Sequence, residues 1–378
     1  MTEQNTKTHY IVLDALRGVA ALCVVLYHVF EGFAFAGGEP VIRGMNHGYL
    51  AVDFFFLLSG FVISYAYDDR WAGGFTLGQF FKRRLRRLHP MVIVGATLGA
   101  VCFVVGGSVQ WDGTHVAISA VMWALLLAMF MIPAYPGSPL EVRGNGEMFP
   151  LNGPTWSLFF EYIGNILYAL CIRRLSTKAL RVLVWVLGVM YFGFVVFDAT
   201  GLGFIGVGWT LDWMNFAGGL LRMMFPFSFG MLISRTFRRM ESRHGFAICT
   251  LCLAAVFCMP YMGASLEFGG GVHAALNGLF EFLCVALVFP LIVRLGASTS
   301  TGNLKTLWVY NMLGKLSYPL YLVHYPFMYL LYQWMIRTHQ YTLSQTWPQA
   351  LAVYFVSVVT ALVCIYLFEP KKNSLKTS

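Results

Sequence analysis

HYIVLDALRGVAALCVVLYHVF, residues 9–30, decides the fold. About 20 apolar residues span a bilayer core as one helix, and this stretch meets that length. Yet it carries Asp14, Arg17 and His28. His28 follows Arg17 by eleven residues. At ~100° per residue that is about three turns plus ~20°, so both side chains share one face, ~16 Å apart along the axis. Asp14 lies about one turn before Arg17 on the same stripe. Charged groups at membrane depth cost several kcal/mol each unless they face protein or water, so the stripe reads as a functional interior face.

Composition agrees. The chain has 378 residues, 58% hydrophobic and only 11% charged, with mean hydropathy +0.66. Soluble domains carry about 25% charged residues, so a polytopic membrane protein is expected and a soluble enzyme is excluded. The net charge of +9 is no nucleic-acid signal, because the cations cluster in short stretches beside apolar segments. All eight cysteines fall within or beside apolar segments and read as small buried residues. Cys249 and Cys252 form a CxxC with no second ligand pair, so no metal site is read there. Asp14 and Arg17 inside the first helix, and no small-x-small site after it, argue against a cleaved signal peptide.

Eleven apolar segments run near 10–30, 48–66, 89–107, 116–133, 155–172, 181–197, 214–234, 246–262, 273–293, 313–336 and 349–368. The basic loops 81–89, 173–181 and 235–244 and the tail 371–376 belong in the cytoplasm, and the cation-poor loops 31–47, 198–213 and 261–272 outside. Both ends of 89–133 then fit only if that stretch crosses a net odd number of times. One of its two segments, 116–133 by preference, is re-entrant, interfacial or packed inside. The expectation is an all-α bundle with about ten crossings and both termini cytoplasmic. Residues 1–9 form a short N-terminus, 10–370 a single membrane domain, and 371–378 a tail with no attached soluble domain. Loop 134–154, rich in Gly and Pro, is a candidate lid or acceptor-contacting loop, or a simple connector.

Several constellations can carry chemistry. His28 can take a proton near neutral pH, and Glu31, three residues on, can orient it or simply be solvated. Arg17 suits a phosphate or carboxylate, or an internal pair with Asp14. In FKRRLRRLHP (81–90) the cations lie at helix spacing, so that Arg83 shares a face with Arg87 or Arg86. They form a clamp for an anionic cofactor such as coenzyme A, or an ordinary topology signal. In PTWSLFFEY (154–162), Trp156 suits the outer interface and Glu161 lies within the bilayer, where it needs His28, Arg17 or an acceptor as partner. Ser59 and Gly60 read as packing residues. In LGKLSYPLYLVHYPF (313–327), Tyr318, Tyr321, His324 and Tyr325 form a polar stripe beside two helix-breaking prolines, and His324 reads as a substrate contact or as a core histidine bonded to a freed carbonyl.

These runs together resemble the membrane acyltransferase-3 family of bacterial surface-glycan O-acetyltransferases. The matching runs are LDALRGVAALCVVLYH (13–28), VDFFFLLSGFVIS (52–64), FKRRLRRLHP (81–90), TWSLFFEY (155–162), FPFSFGMLI (225–233), LGKLSYPLYLVHYPF (313–327) and LFEP (367–370). They stand in the family's order, from about residue 10 to 370, and the family's R-x10-H element falls on Arg17 and His28. The chain looks like the stand-alone form, without an SGNH domain. The resemblance implies a multi-pass protein of the bacterial inner membrane. It implies transfer of an acyl group, most often acetyl, from cytoplasmic acyl-CoA (acetyl-CoA) to a glycan hydroxyl, such as that of O-antigen or exopolysaccharide, typically lipid-linked. No metal or nucleic acid takes part. On this reading His28, Arg17 and Glu161 are catalytic, and Arg83, Arg84, Arg86 and Arg87 meet the CoA phosphates. Asp14, Trp156, Tyr318, Tyr321 and His324 are candidate substrate contacts. The rival class is a transporter or flippase of a glycan precursor, which would bury similar groups; the inverted repeats common in transporters are missing here.

Overall fold

The computed structural model describes residues 8–38, 42, 44–239, 241–262, 271–300 and 303–368. Among these the regular structure is helical, with only isolated β-bridges between loops. The helices are α1 (Ile11–Gly37), α2 (Ala51–Ala72), α3 (Leu77–Val105), α4 (Ile118–Met129), α5 (Thr155–Leu170), α6 (Thr177–Val196), α7 (Trp213–Thr236), α8 (Gly245–Cys258), α9 (Val272–Leu283), α10 (Phe289–Ser298), α11 (Leu304–Thr338) and α12 (Leu343–Phe368). A π-helical turn, Cys284–Val288, joins α9 to α10 into one continuous span. The protein is a polytopic all-α membrane bundle.

Among the described residues, eight helical spans are long and apolar enough to cross a membrane. α11, at 35 residues, extends ~52 Å, and α8, at 14 residues, extends ~21 Å. α11 is thus long enough to span, whereas α8, like α4, is shorter than the ~30 Å core, so helix length by itself does not reproduce the ten crossings expected from the loop charges. α4 is the shorter of the two: its 12 residues extend only ~18 Å. This is the 116–133 segment that the charge pattern had set aside.

One expectation changes. The basic stretch 81–89 is not a loop but the first turns of α3. Arg, Lys and Leu are good helix formers, and nothing before Pro90 breaks the pattern. A capping box starts it: the Gln79 N–H donates to Thr76 Oγ1 at 3.2 Å, and the Thr76 N–H donates to Gln79 Oε1 at 3.0 Å. Helix α1 likewise runs past residue 30 to Gly37.

The centre of the bundle is built on the pairs α1–α11 and α2–α7. Both pairs approach closely through glycine. A Cβ on Gly60 would sit 1.9 Å from the Phe227 carbonyl oxygen, and one on Gly230 would sit 2.0 Å from that of Leu57. Small residues thus bring the α2 and α7 backbones together, as membrane helices require. The Gly60 reading as a packing residue stands. α12 is peripheral, with 17% of its most apolar stretch buried against 72% for the Gly48–Ala72 segment.

Candidate active site

Two cavities sit against α1, α2, α5 and α11, one toward each end of the bundle, with α3 lining the inner one and Arg222 of α7 the outer. The inner one, about 410 Å³, is lined by Asp14, Arg17, Arg84, Arg87, Glu161 and Tyr318, among others. It lies at the end that carries the basic stretches. The outer one, about 380 Å³, is lined by His28, Glu31, Glu147, Trp156, Arg222 and Tyr325, among others. The stripe on α1 therefore divides: Arg17 faces one cavity and His28 the other.

His28 Nδ1 stands 2.6 Å from Glu31 Oε2. A carboxylate can only accept, so Nδ1 carries the proton and Nε2 is left with its lone pair. This is the geometry that holds a catalytic imidazole in the base-competent tautomer. Glu31 is not simply solvated: Tyr27 and Tyr325 donate hydroxyls to it at 3.2 and 3.3 Å. Tyr332 donates to the His28 carbonyl oxygen, which fixes the backbone beneath the ring. The spacing on α1 makes the dyad, since three residues bring His28 and Glu31 to neighbouring positions on the helix surface.

His324 lies elsewhere than a substrate contact would. It is fully buried, lines neither cavity, and its Nδ1 donates to the Leu320 carbonyl at 3.0 Å. The rings of Tyr321 and Tyr325 pack around it. Its ring stacks on His28 at 5.2 Å between centroids. It packs against His28 and does not reach solvent.

In the inner cavity Arg17 Nε donates to Ser317 Oγ at 2.8 Å, and its Nη2 lies 3.1 Å from Asp14 Oδ1. Asp14 also meets His9 at 2.8 Å. The internal ion pair with Asp14 is therefore formed, and Arg17 still borders the cavity. Glu161 pairs with neither His28 nor Arg17. It accepts from Arg84 Nη2 at 2.7 Å and from Ser59 Oγ at 2.9 Å. Ser59 thus does more than pack.

The helix phase of α3 also differs from expectation. Arg84 and Arg87 face the cavity, whereas Arg83 and Arg86 are exposed outside its lining. Arg83 instead stacks on Phe75 at 5.0 Å. Positions 84 and 87 are three apart and share a face, and Arg84 is the one drawn in by Glu161. Tyr318 borders the same cavity, with its hydroxyl donated to the Leu88 carbonyl at 2.6 Å.

Sequence reasoning missed three groups. Arg222 on α7 is buried and spends its guanidinium on Asp53, on the carbonyls of Ile205 and Val207, and on that of Tyr49. Its face meets the ring of Trp156 at 5.3 Å. Glu281 on α9 receives the Tyr49 hydroxyl and the Ile205 N–H. Each is a lone charge in its apolar segment, the same signal that revealed Arg17. The third, Glu147, comes from loop 134–154. It accepts from Tyr329 and from Asn145 Nδ2 at 3.0 Å, and burial pushes its carboxyl up to about 7. The nearby Arg143, whose guanidinium lies 3.4 Å from the Tyr329 ring centroid, only partly offsets that desolvation. The loop is a wall of the outer cavity and more than a connector. The terminal run YLFEPKK extends beyond the described residues from Glu369 onward.

A family model described as an acyltransferase domain matches residues 10–368. "Protein 2 in picA locus" of Rhizobium radiobacter is 36% identical over 182 residues, 46% of this chain and 88% of that protein. Acyltransferase MdmB of Streptomyces mycarofaciens is 28% identical over 183 residues, 46% of this chain but 42% of its own. A Staphylococcus aureus (strain COL) protein with the provisional name O-acetyltransferase SACOL0978 is 38% identical over 93 residues, 23% of this chain and 13% of its own. The matches thus span less than half of the latter two relatives. No solved structure matches.

Proposed function

This chain belongs to the acyltransferase family whose domain model covers residues 10–368, and from that premise we propose that it carries an acyl group from a cytoplasmic donor to an acceptor at the outer face. The donor is acyl-CoA, acetyl-CoA first, and the acceptor is a hydroxyl of a surface or lipid-linked glycan. The setting is the bacterial inner membrane. One observation carries the reading: the cation-lined cavity and the cavity holding the His28–Glu31 dyad open toward opposite ends of one bundle.

The donor's phosphates meet Arg84 and Arg87, while the exposed Arg83 and Arg86 add attraction along the approach. The thioester arm extends inward past Arg17. The acceptor hydroxyl lies against His28 in the outer cavity, beside Trp156. His28 Nε2 takes the hydroxyl proton as the oxygen attacks the thioester carbon. The C–S bond breaks, the sulfur leaves with its electron pair, and the proton passes from His28 to that sulfur. An alcohol and an acyl thioester become an ester and a free thiol, with no other reactant. CoA is a good leaving group, so positioning and a base supply most of what the reaction needs. Glu161 enters by holding Arg84, and Glu31 by holding His28.

The test uses membranes containing the protein, supplied with radiolabelled acetyl-CoA, and follows label into extractable glycan. Incorporation lost in His28→Ala and retained in His244→Ala, an exposed residue at the start of α8, supports the enzyme. No incorporation from any acyl-CoA overturns it and favours a transporter.

A further inference from the structure

The inner and outer cavities have two lining residues in common, Val52 on α2 and Tyr321 on α11. Those two side chains form the partition between them. Tyr321 is held in place from several sides. Ser157 Oγ donates to the Pro154 carbonyl at 2.9 Å, so it accepts the Tyr321 hydroxyl at 2.7 Å. Phe55 meets the Tyr321 ring edge-on at 5.6 Å. On its other side Tyr321 packs against His324 at 6.0 Å, and His324 stacks on His28 at 5.2 Å. The partition therefore stands one aromatic ring away from the base. Val52 completes it with a short branched side chain, 7% exposed.

We propose that Val52 and Tyr321 form a septum that selects the length of the acyl group transferred. The inference rests on the two-cavity reading above, with the donor arriving from the inner side. A thioester bound there reaches His28 only by passing its acyl end between Val52 and Tyr321. A two-carbon group needs the smallest opening. Each added methylene must fit in a gap bounded by an isopropyl group and a phenol ring tied to Ser157. The enzyme is thus a short-chain acyltransferase by the size of this gap, and the outer cavity's 380 Å³ does not set the limit. Tyr321 and Val52 are specificity residues; the bonds made and broken at His28 are unchanged.

The experiment feeds acetyl-, butyryl- and hexanoyl-CoA, each labelled in the acyl carbonyl, to membranes carrying wild type, Val52→Ala, Val52→Phe, Tyr321→Phe or Ser157→Ala. The readout is the ratio of hexanoyl to acetyl incorporation into extractable glycan, which cancels differences in expression. A methylene in a tight pocket is worth about tenfold or more, so wild type should disfavour hexanoyl by at least that factor. Val52→Ala should raise the ratio by about tenfold, and Val52→Phe should lower it further below wild type. Tyr321→Phe and Ser157→Ala, which each break the latch, should both shift it upward and by similar amounts. An unchanged ratio in Val52→Ala and Val52→Phe, with acetyl still incorporated, overturns the septum and leaves the acyltransferase standing. No incorporation by wild type from any of the three donors overturns the donor reading and the septum together.

Discussion

Replacing Glu31 by Gln tests the dyad most directly. The substitution keeps size and leaves an amide oxygen that can still accept from His28 Nδ1. What it removes is the charge of an acceptor that stands 2.6 Å from the imidazole. A hydrogen bond to a charged group contributes about 1.5–3 kcal/mol, and the imidazolium formed during the reaction is when that charge counts most. At ~1.4 kcal/mol per factor of ten, kcat should fall by roughly 10- to 150-fold. The apparent KM for acetyl-CoA should stay within about twofold, because Glu31 borders the outer cavity and not the inner one. Glu31→Ala should do worse, since Tyr27 and Tyr325 then lose their acceptor as well. The assay is initial-rate incorporation of labelled acetyl across donor concentrations. A kcat within twofold of wild type, or an effect confined to KM, would refute the dyad as the base.

Four further outcomes are expected. Arg87→Ala should raise the KM for acetyl-CoA by about tenfold with kcat nearly intact, the loss of one charge-assisted contact, read from donor saturation curves. Arg84→Met should destabilise the detergent-solubilised protein by about 3 kcal/mol, because it strands Glu161, and the double variant with Glu161→Leu should regain most of it in a thermal melt. Glu147 keeps its proton in the native state up to about pH 7, whereas an unfolded Glu loses it near 4.5. The native chain thus binds more protons between those values, so stability should decline as pH rises through that window, by roughly 3 kcal/mol in all, and Glu147→Gln should flatten the decline in melts from pH 4.5 to 8. Gly60→Ala should abolish the folded monodisperse peak in size exclusion, as the added methyl would sit on the Phe227 carbonyl.

The bundle was largely legible because each span is a long apolar run and loop charge fixes its direction. Arg17 and His28 were legible because a polar group on such a run is costly wherever it lies. The same rule applied to Arg222 and Glu281 would have exposed the outer ion-pair network. The phase of α3 was not legible, since five of the six residues 82–87 are cations and any face of that turn looks basic. Only the Arg84–Glu161 pair, 77 residues apart, picks the inward side. Glu147 was hidden for another reason. It owes its burial to Tyr329 on a helix 182 residues away, and local composition around it says only that the chain turns.

The binding of Arg222 has a consequence for how such proteins diversify. Its guanidinium ties α7 to α2 and to loop residues 205–207 at once, so that side of the outer cavity cannot be altered piecemeal. The facing side, residues 145–156, hangs on fewer bonds: Asn145 donates to Glu147, Tyr329 of α11 donates to Glu147, and the Gly153 backbone N–H donates to the Tyr329 hydroxyl. Evolution can therefore rewrite the second face while inheriting the first intact. Change at residues 145–156 would reshape the outer cavity while the Arg222 side keeps its form.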